Sequence, residues 1–237
     1  MRLDKYVAKV LGVTRNEARQ LIKAKEITIE FKNHLRNDDT INEITDVVYY
    51  KGRKLEYMKY IYIMLNKPQG YLSATIDKKD PTVLDLVKEY QKYDLAMVGR
   101  LDKDTEGLFI LTNDGIFAHR LTAPHKNVFK KYYVEVDGVW TEEDIVKFEE
   151  GFEIFDGNKN LFKTKPAKLE IIAEQKAYIS ISEGKYHQVK KMCLKVGKEV
   201  TYLKRIAIGN LQLDENLPVG AYRLLTEEEI ETLKANE

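Results

Sequence analysis

Little in this 237-residue chain could cross-link or anchor it. Its one cysteine, Cys193, excludes an intramolecular disulfide and a cysteine-rich zinc site, and suits a reducing compartment. Five prolines and 13 glycines exclude collagen-like and low-complexity readings. The longest apolar runs, such as Tyr60–Leu65 and Leu108–Thr112, reach about six residues, where a membrane span needs roughly 18–20. The opening MRLDKYVAKVLGV has charges where a secretory signal would have its apolar stretch, so a cytoplasmic protein with no membrane partner is expected. Net charge is only +1, yet 43% hydrophobic and 32% charged residues describe an ordinary folded chain rather than a disordered one.

The near-neutral total hides an uneven distribution. Residues 1–25 carry seven Lys or Arg against Asp4 and Glu17, and residues 183–205 carry seven against Glu183 and Glu199. Two basic segments in a balanced chain point to a polyanion surface.

The first segment reads as helix, turn, helix, strand. Leu3, Val7, Val10 and Leu11 recur at helical spacing, Gly12 is a C-cap, and Thr14 with Glu17 forms a capping box. Ile27, Ile29 and Phe31 alternate as in a strand, and the charged stretch Lys51–Lys59 reads as a linker. Domains are therefore expected at 1–58 and 59–237. In the second, Tyr60–Leu65 reads as a strand followed by the turn Asn66-Lys67-Pro68-Gln69-Gly70. Asp80-Pro81 reads as the start of a helix to about Tyr90. Leu95–Val98, Gly107–Leu111, Tyr132–Val136 with Val139, Leu169–Ile172, Tyr178–Ser182, Leu203–Ile208 and Leu211–Leu213 read as strands. Helices are expected from Thr141 to Gly151, over Tyr186–Val196, and after Thr226. The irregular alternation favours an α+β fold with a mixed, mostly antiparallel sheet flanked by helices.

The most informative stretch is GRLDKDTEGLFILTNDG, residues 99–115, a charge-dense loop between apolar strands. Asp102, Asp104, Glu106 and Gly107 fit the first positions of a calcium loop, but Asn113 stands where that loop needs a bidentate Glu, and an apolar strand follows instead of a helix. A carboxylate beside fixed cations suits a nucleophile instead.

That stretch resembles the central motif of the RsuA family of ribosomal-RNA pseudouridine synthases. MLNKPQGYLSAT (64–75), Lys130-Lys131-Tyr132-Tyr133-Val134 and EGKYHQVKKM (183–192) resemble its other motifs in order and spacing. The N-terminal segment resembles an S4 RNA-binding domain through Arg2-Leu3-Asp4-Lys5, Gly12, Thr14-Arg15, Ala18 and Leu21-Ile22, although KEITIEFKN (25–33) lacks the usual Gly and Asn-Gly turn. The resemblance covers essentially the whole chain and implies isomerisation of a uridine to pseudouridine without a cofactor. Within the family the chain looks most like the enzyme acting on small-subunit 16S rRNA, with the large-subunit 23S branch the nearer competitor.

The resemblance implies Asp102 as nucleophile, with attack at C1′, attack at C6, or a glycal all left open. It implies Lys190 as the cation paired with Asp102, with Lys191 in reserve, and Tyr132 as the ring on the extracted uracil. Arg100, two residues before Asp102, is expected on the same side, contacting a phosphate or filling the place of the flipped nucleotide. Arg2, Lys5, Arg15, Arg19 and Lys23, with Lys185 and Lys191, are the candidate RNA contacts. Asp104 and Glu106 read as structural, and Cys193 as core. The expected partner is 16S rRNA or a small-subunit assembly intermediate, bound by a monomer. Two other classes compete: a non-catalytic assembly factor, which would tolerate loss of Asp102, and a nucleoside glycosidase, which would want a paired acid/base carboxylate.

Overall fold

The computed structural model describes residues 1–43, 45–123 and 126–235. They form two compact units. The first comprises Met1–Ile61 and Glu89–Leu95, the second Tyr62–Lys88 and Ala96–Glu237.

In the first unit, α1 (Leu3–Leu11) buries Leu3, Tyr6, Val7 and Val10, and ends at Gly12 in the left-handed conformation (φ 69°) that lets its N–H reach Ala8 O. α2 (Arg15–Lys23) begins at the expected capping box: Glu17 Oε2 accepts from the Thr14 N–H at 2.7 Å, and Thr14 Oγ1 accepts from the Glu17 N–H at 3.2 Å. β1 (Ile27–Ile29), β2 (Val48–Tyr50) and β3 (Arg53–Lys54) form a small antiparallel sheet. Two expectations change here. Phe31 is not in the strand; it turns with φ 63° and is fully exposed. The stretch read as linker supplies β3, and beyond it Leu55 accepts from Tyr6 Oη at 3.2 Å while the Tyr57 ring meets Tyr6 at 5.3 Å. Charge content alone concealed a strand whose apolar neighbours complete the core.

The second unit is built on one long sheet. Its strands are β4 (Tyr62–Lys67), β5 (Ala96–Met97), β6 (Glu106–Thr112), β7 (Lys130–Asp137), β10 (Lys168–Ala173), β11 (Lys176–Ile181), β12 (Glu199–Ile208), β13 (Leu211–Gln212) and β14 (Tyr222–Leu224). β8 (Glu153–Phe155) and β9 (Leu161–Lys163) make a separate hairpin. The order is β10-β11-β7-β12-β6-β4-β14, with β13 on β12 and β5 on β6. Every pairing is antiparallel except β12 with β6. The helices are α3 (Gly115–Thr122), α4 (Glu142–Glu150), α5 (Gln188–Lys195) and α6 (Glu227–Lys234). The α+β class and mixed sheet are as the sequence implied.

One core packs Met64, Leu108, Ile110, Phe117, Leu121, Ile208 and Leu233. β6 is covered along most of its length, which explains its continuous apolar run. β7 alternates, with Tyr132, Val134 and Val136 buried and Tyr133 and Glu135 half-buried.

The helix expected after Asp80-Pro81 is replaced by two 3-10 pieces, Val83–Leu86 and Lys88–Tyr93. The start is at Thr82, whose N–H and hydroxyl both reach Asp85 Oδ2. The segment then divides between the units, and Lys92 Nζ donates to Val10 O at 2.8 Å within the first. Val139 lies outside β7, and α5 begins at Gln188 rather than Tyr186.

Candidate active site

The loop from Gly99 to Thr105 leads into β6 and is held from beneath by β4 and the turn after it. Leu101 is the buried anchor: its N–H donates to Ser73 Oγ at 3.0 Å, and its carbonyl accepts from the same hydroxyl at 2.6 Å. The Gly70 N–H donates to Lys103 O at 2.7 Å. Lys67 is fully buried, and its ammonium donates to the carbonyls of Pro68 (3.1 Å), Asp102 (3.1 Å) and Thr105 (2.9 Å). Three carbonyls around one ammonium close the loop on a single point. Burial pushes Lys67 down to about 8, against the pull of Asp102, Asp104 and Glu106. The NKPQG turn is thus the clamp for the charged loop, a role the sequence reading did not assign. The available signal was a lysine ending an otherwise apolar strand.

With Leu101 turned in, Arg100 and Asp102 both face the cleft, as expected from their spacing of two. Tyr132, Thr105, Ile181, Val189 and Leu203 line the same cleft, together with Lys185, His187, Gln188 and Lys190. It continues past Arg100, Asp102 and His187 into a groove of about 550 Å³ lined also by Leu72, Lys103 and Tyr186. Asp102, Tyr132, Lys190 and Arg100, distant in sequence, therefore share one cavity. Tyr133 lies on the other face of β7, where its ring meets Tyr178 at 6.1 Å and Tyr202 at 6.0 Å.

Lys190 is shared between two carboxylates. Its Nζ lies 3.6 Å from Asp102 Oδ2 and 2.5 Å from Asp104 Oδ1. The pairing with Asp102 is present, but Asp104 is the nearer partner. Burial raises the Asp104 carboxyl, and the Lys190 contact outweighs it, so the group sits below the ordinary carboxylate range. Glu106 accepts from Tyr202 Oη at 2.7 Å. Of the carboxylates that imitate a calcium loop, Asp102 and Asp104 thus share Lys190, while Glu106 pairs with Tyr202.

His187 is a further neighbour. It caps α5 from a left-handed conformation (φ 52°, ψ 33°) and stacks on Tyr186 at 3.9 Å. Its Nε2 lies 3.4 Å from Asp102 Oδ1. Gln188 turns inward, accepting from the Lys185 N–H at 2.9 Å and donating to Glu183 Oε1 at 2.7 Å, so it fixes the turn before α5. Lys191 Nζ donates to Phe155 O at 2.8 Å and lies over the Tyr186 ring. Lys185 is exposed at the cleft. Beside Tyr132 in register lies buried Arg205, whose Nε donates to Leu108 O at 2.8 Å and whose Nη2 has no hydrogen-bond partner. Cys193 is buried, which pushes its thiol up to about 12.

In the first unit Arg2, Arg15 and Arg19 converge on Asp4, while Lys5 and Lys23 are exposed.

This cleft and fold define a class. The family model for RNA pseudouridylate synthases matches residues 61–195 and that for the S4 domain matches residues 1–32, and the chain belongs to the RNA pseudouridylate synthase family as a member with an N-terminal S4 domain. It is therefore an isomerase. Among its relatives, an uncharacterised RNA pseudouridine synthase of Bacillus subtilis is 44% identical over 98% of both chains. The ribosomal small subunit pseudouridine synthases A of Escherichia coli K12 and Yersinia pestis are each 40% identical, over 97% and 99% of this chain and 98% and 99% of theirs. A crystal structure of a pseudouridylate synthase superposes with a TM-score of 0.68 at 37% identity, covering 98% of this chain and 99% of the other.

Proposed function

We propose that the chain converts one uridine of small-subunit 16S rRNA to pseudouridine, acting as a monomer in the cytoplasm on the RNA or on a partly assembled subunit. The reading is carried by one observation: Asp102, Tyr132, Lys190 and Arg100 line a single cleft. The full-length similarity to ribosomal small subunit pseudouridine synthases A supports the substrate.

In the reaction the N1–C1′ bond breaks, the base turns, and C5 bonds to C1′. N1 takes up a proton and C5 gives one up, so the balance needs no oxidant and no cofactor. Asp102 is the nucleophile, held at the rim by backbone contacts to Lys67 and Thr105. Lys190 is the adjacent cation. Tyr132 packs against the uracil, and its hydroxyl serves the proton transfer at C5. The glycosidic bond is reachable only with the nucleotide flipped out, at a cost of a few kcal/mol. Arg100 at the exposed mouth fills the vacated place or holds a phosphate. Lys185 at the cleft, Lys191 beside the Tyr186 ring, and Arg2, Lys5, Arg15, Arg19 and Lys23 in the first unit hold the RNA backbone, positioning rather than reading sequence.

The test is a pseudouridine map. 16S rRNA assembly intermediates lacking the modification are incubated with the protein, with 23S rRNA alongside, and pseudouridine is located by carbodiimide labelling and primer extension. One new stop in 16S rRNA, absent with Asp102→Asn, is expected, with RNA affinity of that variant within a few-fold of wild type. A stop only in 23S rRNA overturns the substrate, and turnover by Asp102→Asn overturns the nucleophile.

A further inference from the structure

Asp4 is an acid at the centre of a surface otherwise suited to an anion. It is the second residue of α1, its side chain is 0% exposed, and it accepts from three guanidinium groups. Arg2 reaches both oxygens through Nε and Nη2 at 3.2 Å. Arg15 Nη2 straddles them at 3.0 and 2.9 Å, and Arg19 Nε reaches Oδ2 at 3.1 Å. Burial would raise this carboxyl, but the contacts with Arg15, Arg19 and Arg2 outweigh it and hold it at about 2.

The placement follows from the helix starts. Arg2 precedes the first turn of α1, Arg15 opens α2 behind the Thr14 cap, and Arg19 lies one turn further along the same face. The three arginine side chains are 43–50% exposed while the carboxylate is hidden. Three positive charges against one leave the cluster cationic, with Nη1 of Arg2, Nε and Nη1 of Arg15 and both terminal nitrogens of Arg19 outside the hydrogen bonds to Asp4. Arg2 and Arg19 also line a groove of about 530 Å³ with Lys23 and Arg36. Asp38 lies there too, 3.7 Å from Arg36.

We propose that Asp4 is the positioning residue of an RNA phosphate site, fixing three guanidinium forks in one array that grips adjacent phosphodiesters, with Arg2 and Arg19 in this groove and Arg15 joined to them through the shared carboxylate. This rests on the reading that the first unit carries RNA. An arginine loses side-chain freedom when it binds, and a fork already held by a carboxylate has surrendered much of it beforehand. The negative charge thus helps to bind a negative ligand, and this gives the test an opposite sign from simple electrostatics.

In Asp4→Asn the full-length protein gains a unit of positive charge. If charge alone set affinity, binding would tighten. Positioning requires the reverse: affinity for a labelled RNA hairpin with a single-stranded flank falls roughly tenfold, the scale of one charge-assisted hydrogen bond. The plot of log affinity against log salt becomes shallower by about one phosphate contact. Turnover at saturating RNA stays at the wild-type value. Equal or tighter binding overturns the proposal. If far-ultraviolet circular dichroism shows that Asp4→Asn has lost helix, Arg15→Lys decides, because it keeps the charge and loses the fork. A several-fold loss supports the array, and unchanged affinity overturns it. Wild type that binds the hairpin without modifying 16S rRNA would defeat the proposed substrate and leave this inference standing.

Discussion

Lys67 shows how much one buried cation can organise. Its ammonium joins the Pro68, Asp102 and Thr105 carbonyls, so the backbone of Asp102, the proposed nucleophile, is fixed from inside the sheet. In Lys67→Met the burial cost of the charge disappears, but three carbonyls lose their donor, and the second effect dominates. Stability should fall by about 2–4 kcal/mol in urea unfolding, and kcat should fall further than RNA affinity as Asp102 loses its place. The pH dependence has a definite sign. The folded-state value is about 8 against 10.5 for the free side chain. Below pH 8 both states are charged and the burial cost is fully present; between 8 and 10.5 only the unfolded state keeps the proton, so the wild type gains stability with rising pH. Lys130, also pushed to about 8 by burial, is common to both proteins and cancels in the difference. A wild-type advantage over Lys67→Met that shrinks across this window would contradict the assignment. The motifs marked Asp102, Tyr132, Lys190 and Arg100 as a set, and the four do line one cleft, because each motif holds a polar side chain at a fixed place. Lys67 carries no such mark, and a lone His187 reads as a packing or surface residue or an RNA contact, since their importance lies in which carbonyl or carboxylate they meet.

At the scale of elements, the meeting of β6 and β12 controls where the charged loop ends. They pair in parallel only at Glu106 with Lys204 and Gly107 with Arg205. Gly107 adopts φ 105°, and a Cβ there would lie 2.2 Å from Arg205 O and 2.8 Å from Arg205 N. Neither backbone atom can swing aside. Gly107→Ala should therefore destabilise by more than about 3 kcal/mol and lower the thermal midpoint by several degrees, and a midpoint unchanged from wild type would refute the close approach. Strands and capped helices were largely legible because alternation and capping boxes are local signals. The Asp80–Tyr90 segment misled because Asp-Pro imitates a helix start, while the Thr82–Asp85 pair closes only a 3-10 turn. α3 escaped notice, although Asp114 Oδ1 caps it by accepting from the Ile116 and Phe117 N–H groups, because its cap lies inside the charged motif. The convergence of Arg2, Arg15 and Arg19 on Asp4 belongs to tertiary structure, and no spacing rule announces it.

At the scale of the molecule, each unit keeps one carboxylate among its described residues out of solvent and paired with cations. In the first it is Asp4. In the second it is Asp144, which caps α4 by accepting from the Thr141 N–H at 2.8 Å and pairs with Lys198 Nζ at 2.7 Å. Burial raises Asp144, and Lys198 and Thr141 outweigh it, so its folded-state value also lies below the ordinary 3.8. Depressed carboxyls contribute stability that is present above the unfolded value and lost as pH falls through the folded one. Acid should thus weaken both units below about pH 4, with Asp4 still contributing down to about 2. The single tryptophan separates the two. Trp140 is buried in the second unit, with Lys198 Nζ 5.4 Å from its ring centre and Phe148 packed edge-on at 6.1 Å. Its fluorescence reports the Asp144 cluster directly. In urea titrations across acid pH, Asp144→Asn should lower the Trp140 midpoint at neutral pH and make its decline into acid shallower, because the proton-linked contribution is gone. Asp4→Asn should leave the Trp140 curve near wild type while reducing helix content earlier by circular dichroism. A Trp140 curve that responds to Asp4→Asn as strongly as to Asp144→Asn would mean that the two units unfold as one.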